Sequence, residues 1–127
     1  MVRFVTWALA VTVAASAAAL GAGPGSGDAK HGEAVFQQCQ FCHNANKNGG
    51  NGLGPNLFGV VGRKAASLPN FYYSDALKKS HIVWTETMLR QWVAGPAKVV
   101  PGTRMAFAGL SDRKDIADVV AFLKTRK

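Results

Sequence analysis

The stretch Cys39-Gln40-Phe41-Cys42-His43 places two thiols three positions apart, with an imidazole directly after the second thiol. This CxxCH spacing is the attachment signature of a c-type haem. The thiols can add to the two vinyl groups of the macrocycle, and the neighbouring imidazole can take the proximal position on the iron. The motif therefore predicts one covalently attached haem c, held by Cys39 and Cys42 and ligated by His43.

Three other interpretations of the motif compete with haem attachment. A zinc site needs four ligands, and the chain has no second cysteine pair, so only His31 and His81 remain as further nitrogen donors. A thioredoxin-like CxxC follows a strand inside a βαβ pattern, which this sequence lacks. A simple disulfide would not need His43. The spacing favours haem over these three interpretations without excluding them.

The first 27 residues are typical of a targeting segment. After Arg3, residues 4–27 carry no charge and are rich in alanine and valine, with small residues towards the end. A basic start, an apolar run and small residues are the features of a secretory signal peptide, and we expect cleavage. The alternative is an uncleaved membrane anchor formed by residues 4–20. In both cases the domain at 28–127 is exported, which for a haem protein of this type predicts a bacterial periplasm.

Size and charge narrow the class of protein. The chain has 127 residues and a formal net charge of +8. The exported part is one small domain, whose hydrophobic core is marginal without an apolar cofactor. A basic surface suits nucleic acid, a membrane or an acidic protein, but export argues against nucleic acid. The charge therefore predicts an acidic protein partner or an anionic membrane surface.

Apolar periodicity predicts a helix at each end of the domain. Asp28 can cap a first helix that runs into the CxxCH motif, with Gly32 and Phe36 on the face that leads to it. Gly32 would allow another helix to approach closely. Ser111 can cap the last helix, whose apolar face follows helical spacing through Ile116, Val119, Val120 and Leu123. We expect these two helices to cross face to face.

Two shorter helices and two loops lie between the terminal helices. Helices are expected over 85–94 and 74–79, and no segment alternates as a strand would, so the predicted fold class is all-α. The glycine-rich loop 49–57 lacks the ending of a phosphate-binding P-loop and suits close approach to a cofactor. The loop 99–109 presents Met105 outside any helical stripe. Met105 is thus placed to reach the haem face opposite His43.

The order of these motifs resembles the mitochondrial-type class I cytochrome c family. CQFCH is followed by GPNLFGVVGRK, FYYSDA, a tryptophan at position 84, PGTRMAFAG and a closing helix. The resemblance covers residues 28–124. It implies a class I cytochrome c fold, as a single domain over 28–127, in which the terminal helices cross and loops wrap the haem.

The resemblance also implies the roles of the site residues. Cys39 and Cys42 would carry the thioether bonds, with His43 as the proximal and Met105 as the distal iron ligand. The Pro55 carbonyl would accept a hydrogen bond from the other ring nitrogen of His43 and so fix its tautomer. The remaining haem pocket would comprise three residues near a propionate, Arg63, Tyr73 and Trp84, together with Leu57, Trp92, Thr103 and Phe107.

Two protein ligands on one iron predict an electron carrier rather than an enzyme. A thioether is a soft, neutral ligand, and His/Met ligation raises the reduction potential. We expect a monomeric one-electron shuttle between membrane redox complexes, namely a cytochrome bc-type reductase and a terminal oxidase or reaction centre. Two alternatives stay open: a subunit tethered by residues 4–20, and a peroxidase or gas sensor in which Met105 detaches.

Two departures from the family pattern fall on the distal side. Trp92 stands where a tyrosine hydroxyl usually points at the distal methionine. An indole donates but does not accept a hydrogen bond, so we expect a rearranged network around Met105 and the loss of a hydrogen bond to the methionine. Leu77 replaces an asparagine that is usual near a buried water. Both changes make the site more apolar, which predicts a reduction potential in the positive range.

The third departure concerns the docking face. Mitochondrial-type carriers dock through lysines around the haem edge, and several of those positions are uncharged or acidic here: Gln38, Ala97, Ser111 and Asp112. The basic residues that remain are the docking candidates, Lys98, Arg104 and Arg113.

Overall fold

A computed structural model describes residues 26–127, so most of the predicted targeting segment lies outside the described residues. This part of the chain contains an isolated antiparallel bridge between Lys64 and Val83 but no β-strand. Among the same residues, no helix is long and apolar enough to cross a membrane. The predicted all-α class is confirmed by five helices: α1 (Ala29–Phe36), α2 (Asp75–Ser80), α3 (Glu86–Ala94), α4 (Pro96–Val99) and α5 (Arg113–Lys124).

The first and last helices form the main helix pair, as the sequence predicts. Gly32 is buried where α1 meets α5, and a Cβ atom at this position would lie only 1.9 Å from the Asp118 carbonyl oxygen. Next to this contact the Phe36 and Phe122 rings pack with their centroids 5.1 Å apart. The absence of a side chain at Gly32 therefore sets the distance between the two helices. Helix α3 packs against both α5 and α4.

The apolar faces of the three longer helices supply most of the core. The buried side chains come from α1, α3 and α5, and they are Val35, Phe36, Leu89, Trp92, Val93, Val119, Val120, Phe122 and Leu123. The packing brings together residues far apart in the chain. It leaves the CxxCH turn after α1 and the Met105 loop before α5 at the margin of one apolar core.

The helices differ from the prediction in their bounds and number: α2 and α3 each begin one residue later than expected, and α4 is an additional helix. The N-cap of α5 is Asp112 rather than Ser111, because the Asp112 carboxylate accepts from the backbone nitrogens of Lys114 at 2.7 Å and of Asp115 at 3.1 Å. Helix α1 ends at Phe36 and continues as turns towards the motif. The predicted stop of α3 is followed at once by α4, since Pro96 suits the first position of a new helix.

A buried carboxylate joins the two terminal helices. Asp118 is only 2% exposed and accepts from the Asp28 backbone nitrogen at 2.7 Å, from His31 Nδ1 at 2.6 Å and from Lys114 Nζ. The hydrogen bond from Lys114, with support from Asp28 and His31, lowers the pKa of Asp118 to about 2 against the opposing effect of burial. Periodicity did not predict this role, because Asp118 interrupts an apolar face that four other residues define.

Replacing Asp118 with asparagine is expected to destabilise the protein by about 2 kcal/mol at neutral pH, because a buried carboxylate loses its charge-assisted hydrogen bonds to Lys114 and His31, whose side chains are largely exposed. The folded pKa of Asp118 lies below the unfolded value, so its charge stabilises the fold at neutral pH. That stabilisation disappears as the pH falls from about 4 towards about 2. Denaturant unfolding of Asp118→Asn and the parent at several pH values should show the difference shrinking over this range.

The matched control for this experiment is Asp75→Asn. Asp75 pairs with Lys78 at 3.2 Å on the surface, where its side chain is 80% exposed, so its loss should cost less than about 1 kcal/mol. Equal losses of stability in the two variants, or a loss in Asp118→Asn that does not depend on pH, would contradict the assigned role.

Candidate haem-binding site

One helical turn presents the two thiols and the imidazole of the motif. The backbone nitrogens of Cys42 and His43 donate to the Cys39 carbonyl oxygen at 3.1 and 2.9 Å. Both thiols are free and partly buried, and Cys39 packs against the apolar core. Burial, with the neighbouring Cys42, raises the pKa of Cys39. Cys39 is therefore a neutral thiol at neutral pH, and it lies on the side of the turn where the core begins.

The His43 imidazole is fixed by the backbone of the glycine-rich loop. Its Nδ1 lies 2.7 Å from the Pro55 carbonyl oxygen, which is the contact that the family resemblance implies. Burial lowers the pKa of His43, so the ring is neutral at neutral pH. A neutral imidazole whose Nδ1–H donates to Pro55 keeps the Nε2 lone pair for a metal ion. A Cβ atom at Gly54 would lie 2.4 Å from the His43 ring, so glycine is required beside it.

Arg63 holds the loop that follows Pro55. Its guanidinium donates to the Asn56 carbonyl at 2.9 Å and to the Phe58 carbonyl at 3.1 Å. Partial burial lowers the pKa of this guanidinium, and nearby Tyr73 counteracts that effect. The guanidinium of Arg63 therefore fixes the backbone segment that presents Pro55 to the imidazole. A contact of Arg63 with a propionate stays a prediction.

Two more residues of the predicted propionate group are buried. Tyr73 is 7% exposed, and its hydroxyl accepts a hydrogen bond from the Leu68 backbone nitrogen at 3.3 Å. Trp84 is also 7% exposed and packs edge-on against Trp92, with ring centroids 5.0 Å apart. The structure therefore connects Trp84 to the distal side through an aromatic pair, whereas the sequence indicated no contact between the two tryptophans.

Met105, the predicted distal ligand, is held by an indole. Residues 103–110 have no regular secondary structure, and Trp92 Nε1–H donates to Met105 Sδ at 3.2 Å. The expectation that the tryptophan costs Met105 a hydrogen bond is therefore wrong, because the indole donates the bond itself. Thr103 supports the loop, since its hydroxyl accepts from the Met105 nitrogen at 3.2 Å. Leu77 packs against the core, and Phe107 is partly buried.

The donor set fits a c-type haem. The thiol of Cys39 and the thioether of Met105 pack against one apolar core, together with Leu57, and the turn that begins at Cys39 also carries the second free thiol and the neutral imidazole of His43. Within residues 26–127, no group of three or more His, Cys, Asp and Glu side chains is placed to hold a metal ion directly. The fold and the site thus define a small all-α protein that binds haem through CxxCH.

Comparisons with known proteins agree with this class. The family model for cytochrome c matches residues 29–127. The chain is 48% identical over 101 residues to cytochrome c2 of Rhodomicrobium vannielii, covering 80% of this chain and 81% of the relative. It is 43% identical to cytochrome c of Euglena viridis, covering 80% of this chain and 99% of the relative. The solved structure of cytochrome cH from Methylobacterium extorquens superimposes with a TM-score of 0.74 at 50% identity, covering 78% of this chain and 99% of that one.

The chain belongs to the cytochrome c family. It has the class I cytochrome c fold, carries one covalently attached haem c, and functions as a c-type haem electron carrier.

The predicted docking residues are all exposed. Lys98 lies on α4 and Arg113 is the first residue of α5. Arg104 donates to the Tyr72 carbonyl at 3.1 Å, and its guanidinium stacks on the Tyr72 ring with the carbon 4.6 Å from the centroid. Tyr72 therefore fixes the orientation of Arg104, a role that the sequence pattern did not indicate.

Proposed function

We propose that the protein is a periplasmic one-electron shuttle whose haem iron is ligated by His43 and Met105. Thioether bonds would link the haem to Cys39 and Cys42. The observation that carries the proposal is the hydrogen bond from Trp92 to the sulfur of Met105, because it fixes a soft ligand from the loop against the same apolar core that Cys39 contacts. The membrane complexes it serves would be a cytochrome bc-type reductase and a terminal oxidase or reaction centre.

The chain's own residues account for a fast one-electron function. Haem, when bound, supplies the ferrous/ferric couple. Pro55 holds the imidazole of His43 in one tautomer, and Trp92 holds the thioether of Met105. Because both donors are fixed by the fold, little rearrangement accompanies a change of charge. Met105 is uncharged and soft, which favours the ferrous state and supports a potential in the positive range.

The same contacts support a carrier over an enzyme. A peroxidase or gas sensor needs an iron position that an external ligand can reach, and for this Met105 would have to detach. The hydrogen bond from Trp92 on α3 opposes release of the loop, and the bond between Thr103 and Met105 keeps the local shape of the loop. We therefore assign no catalytic residue. Docking would use the exposed charges of Lys98, Arg104 and Arg113, with the protein acting as a monomer.

The test is to express the full chain with haem maturation and to measure its mass and its redox behaviour. A mass that corresponds to cleavage within residues 17–27 and to one added haem, with full reduction by ascorbate and no binding of carbon monoxide to the reduced protein, would support the proposal. A mass that retains residues 1–27 would replace the diffusible shuttle with the tethered alternative. Rapid binding of carbon monoxide at neutral pH would replace the carrier with the sensor or peroxidase.

A further inference from the structure

Arg126, two positions beyond the end of α5, contacts two loops that are far away in the chain. Its Nε donates to the Ala45 carbonyl oxygen at 3.0 Å, and its Nη2 donates to Asn46 Oδ1 at 2.6 Å. Its own carbonyl oxygen accepts from the Gly59 backbone nitrogen at 2.7 Å. One residue near the end of the chain therefore binds both loops at once.

The two loops that Arg126 joins carry the two partners of one hydrogen bond. The first loop begins directly after His43, and the second begins directly after Pro55. His43 Nδ1 lies 2.7 Å from the Pro55 carbonyl oxygen. A movement of one loop relative to the other would therefore change the length or the angle of this bond, which weakens a hydrogen bond.

The two loops also bond directly to each other. The Leu57 backbone nitrogen donates to the Asn44 carbonyl oxygen at 2.7 Å, and Asn56 Nδ2 donates to the Asn46 carbonyl oxygen at 2.9 Å. Asn46 thus accepts from the second loop through its backbone and from Arg126 through its side chain. The guanidinium adds charge-assisted donors to this network, and such bonds are stronger than bonds between neutral groups.

Arg126 lies partly buried at a cleft beside His43. The cleft has a volume of about 380 Å³, and its lining includes His43, Phe122 and Arg126. The guanidinium carbon lies 5.6 Å from the centroid of the Phe122 ring, and Ala45, whose carbonyl it binds, is only 5% exposed. A cleft of this size admits water, which can replace a carbonyl as the partner of a polar group. The Pro55 carbonyl must therefore be held in place to keep its bond to the imidazole.

We propose that Arg126 is a positioning residue for the iron-ligating imidazole: by fastening both loops, it keeps the Nδ1–H of His43 bonded to the Pro55 carbonyl. The inference rests on the proposed function, in which His43 is the proximal ligand. A firm bond to Pro55 raises the basicity of the imidazole, and a more basic ligand favours ferric iron. Through this bond, Arg126 lowers the reduction potential.

The charge of Arg126 and its positioning role have opposite effects on the potential. A positive charge disfavours ferric iron and so raises the potential, whereas the bond that Arg126 maintains lowers it. Arg126→Lys separates the two effects, because lysine keeps the charge but lacks the planar fork that reaches two acceptors at once. Lys124→Gln is the matched control, since it removes a positive charge at the end of α5 that pairs with Glu86 at 3.3 Å.

The experiment uses the reduced holoprotein labelled with ¹⁵N and measures by NMR how fast the Nδ1–H of His43 exchanges with solvent. In Arg126→Lys the exchange should be about tenfold faster, the factor that corresponds to the loss of one charge-assisted hydrogen bond, and the potential should rise. In Lys124→Gln the exchange should equal that of the parent. The Trp92 indole N–H, which donates to Met105, is the internal reference and should exchange at the same rate in all three proteins.

Intact mass and the absorption spectrum verify that each variant carries haem. Equal exchange of the His43 proton in Arg126→Lys and the parent, or a potential that does not rise, would overturn the inference. Acceleration of the Trp92 proton by the same factor would also overturn it, because the substitution would then loosen the whole fold. If the parent itself shows no ligation of His43 to haem, the proposed function fails, whereas a ligated parent with unchanged exchange in the variant rejects this inference alone.

Discussion

Replacing Met105 with alanine is expected to lower the reduction potential by about 0.3 V, a large part of the roughly 0.8 V that axial ligands span in haem proteins. The soft thioether favours the ferrous state, and without it a water or hydroxide would bind in its place. The opened position should also bind carbon monoxide in the reduced protein. A redox titration and the absorption spectrum under carbon monoxide measure both effects.

Two further variants separate the effect of losing the Met105 ligand from the effect of changing other residues. Trp92→Phe removes the indole N–H but keeps Met105, so the potential should fall by only tens of millivolts and carbon monoxide should not bind. Met88→Ala is the matched control, because Met88 packs partly buried on α3 and has no assigned contact with the iron. A potential in Met105→Ala that stays as close to the parent value as that of Met88→Ala would rule out Met105 as the distal ligand.

Replacing Gly32 with alanine is expected to destabilise the protein by about 3 kcal/mol, at the upper end of the usual cost of overpacking. Helix propensity alone would make the same change stabilising by about 1 kcal/mol. The close contact makes the net change in stability unfavourable, because the new Cβ atom would lie 1.9 Å from the Asp118 carbonyl oxygen and force α1 away from α5. Denaturant unfolding of the holoprotein, followed by circular dichroism, measures the difference.

The control for this prediction is the reverse change on the same helix. Ala34 is exposed on α1, so Ala34→Gly should cost about 1 kcal/mol through helix propensity alone. If Gly32→Ala were more stable than the parent, the close approach of the two helices could not be essential to the fold. The crossing would then depend on the aromatic contact between Phe36 and Phe122 instead.

Local chemistry explains which parts of the site were predictable. The spacing of Cys39, Cys42 and His43 encodes haem attachment within five residues, so no tertiary information is needed to recognise it. Met105 is the predicted distal ligand because it stands in a loop and not on a helical stripe, and because its PGTRM motif resembles a known family; its ligation of the iron stays a prediction. Helical periodicity likewise predicted the apolar faces of α1 and α5.

Contacts between distant segments explain what the sequence did not predict. Asp118 meets Asp28, which is 90 positions away, and periodicity cannot show that a carboxylate on an apolar face will find donors there. The indole of Trp92 could have pointed in several directions, and only the folded structure shows its N–H donating to the sulfur of Met105 while its ring packs against Trp84. Each of these contacts forms only when folding brings two separate segments of the chain together.

The sequence by itself determined the cofactor, its mode of attachment and the all-α class, because each depends on short-range spacing and residue chemistry. The tertiary structure alone decided how Met105 is held, how closely α1 approaches α5, and that Phe41 and Leu53 are exposed. The physical reason is that hydrogen-bond direction and solvent exposure belong to the packed arrangement, in which segments far apart in the chain become neighbours.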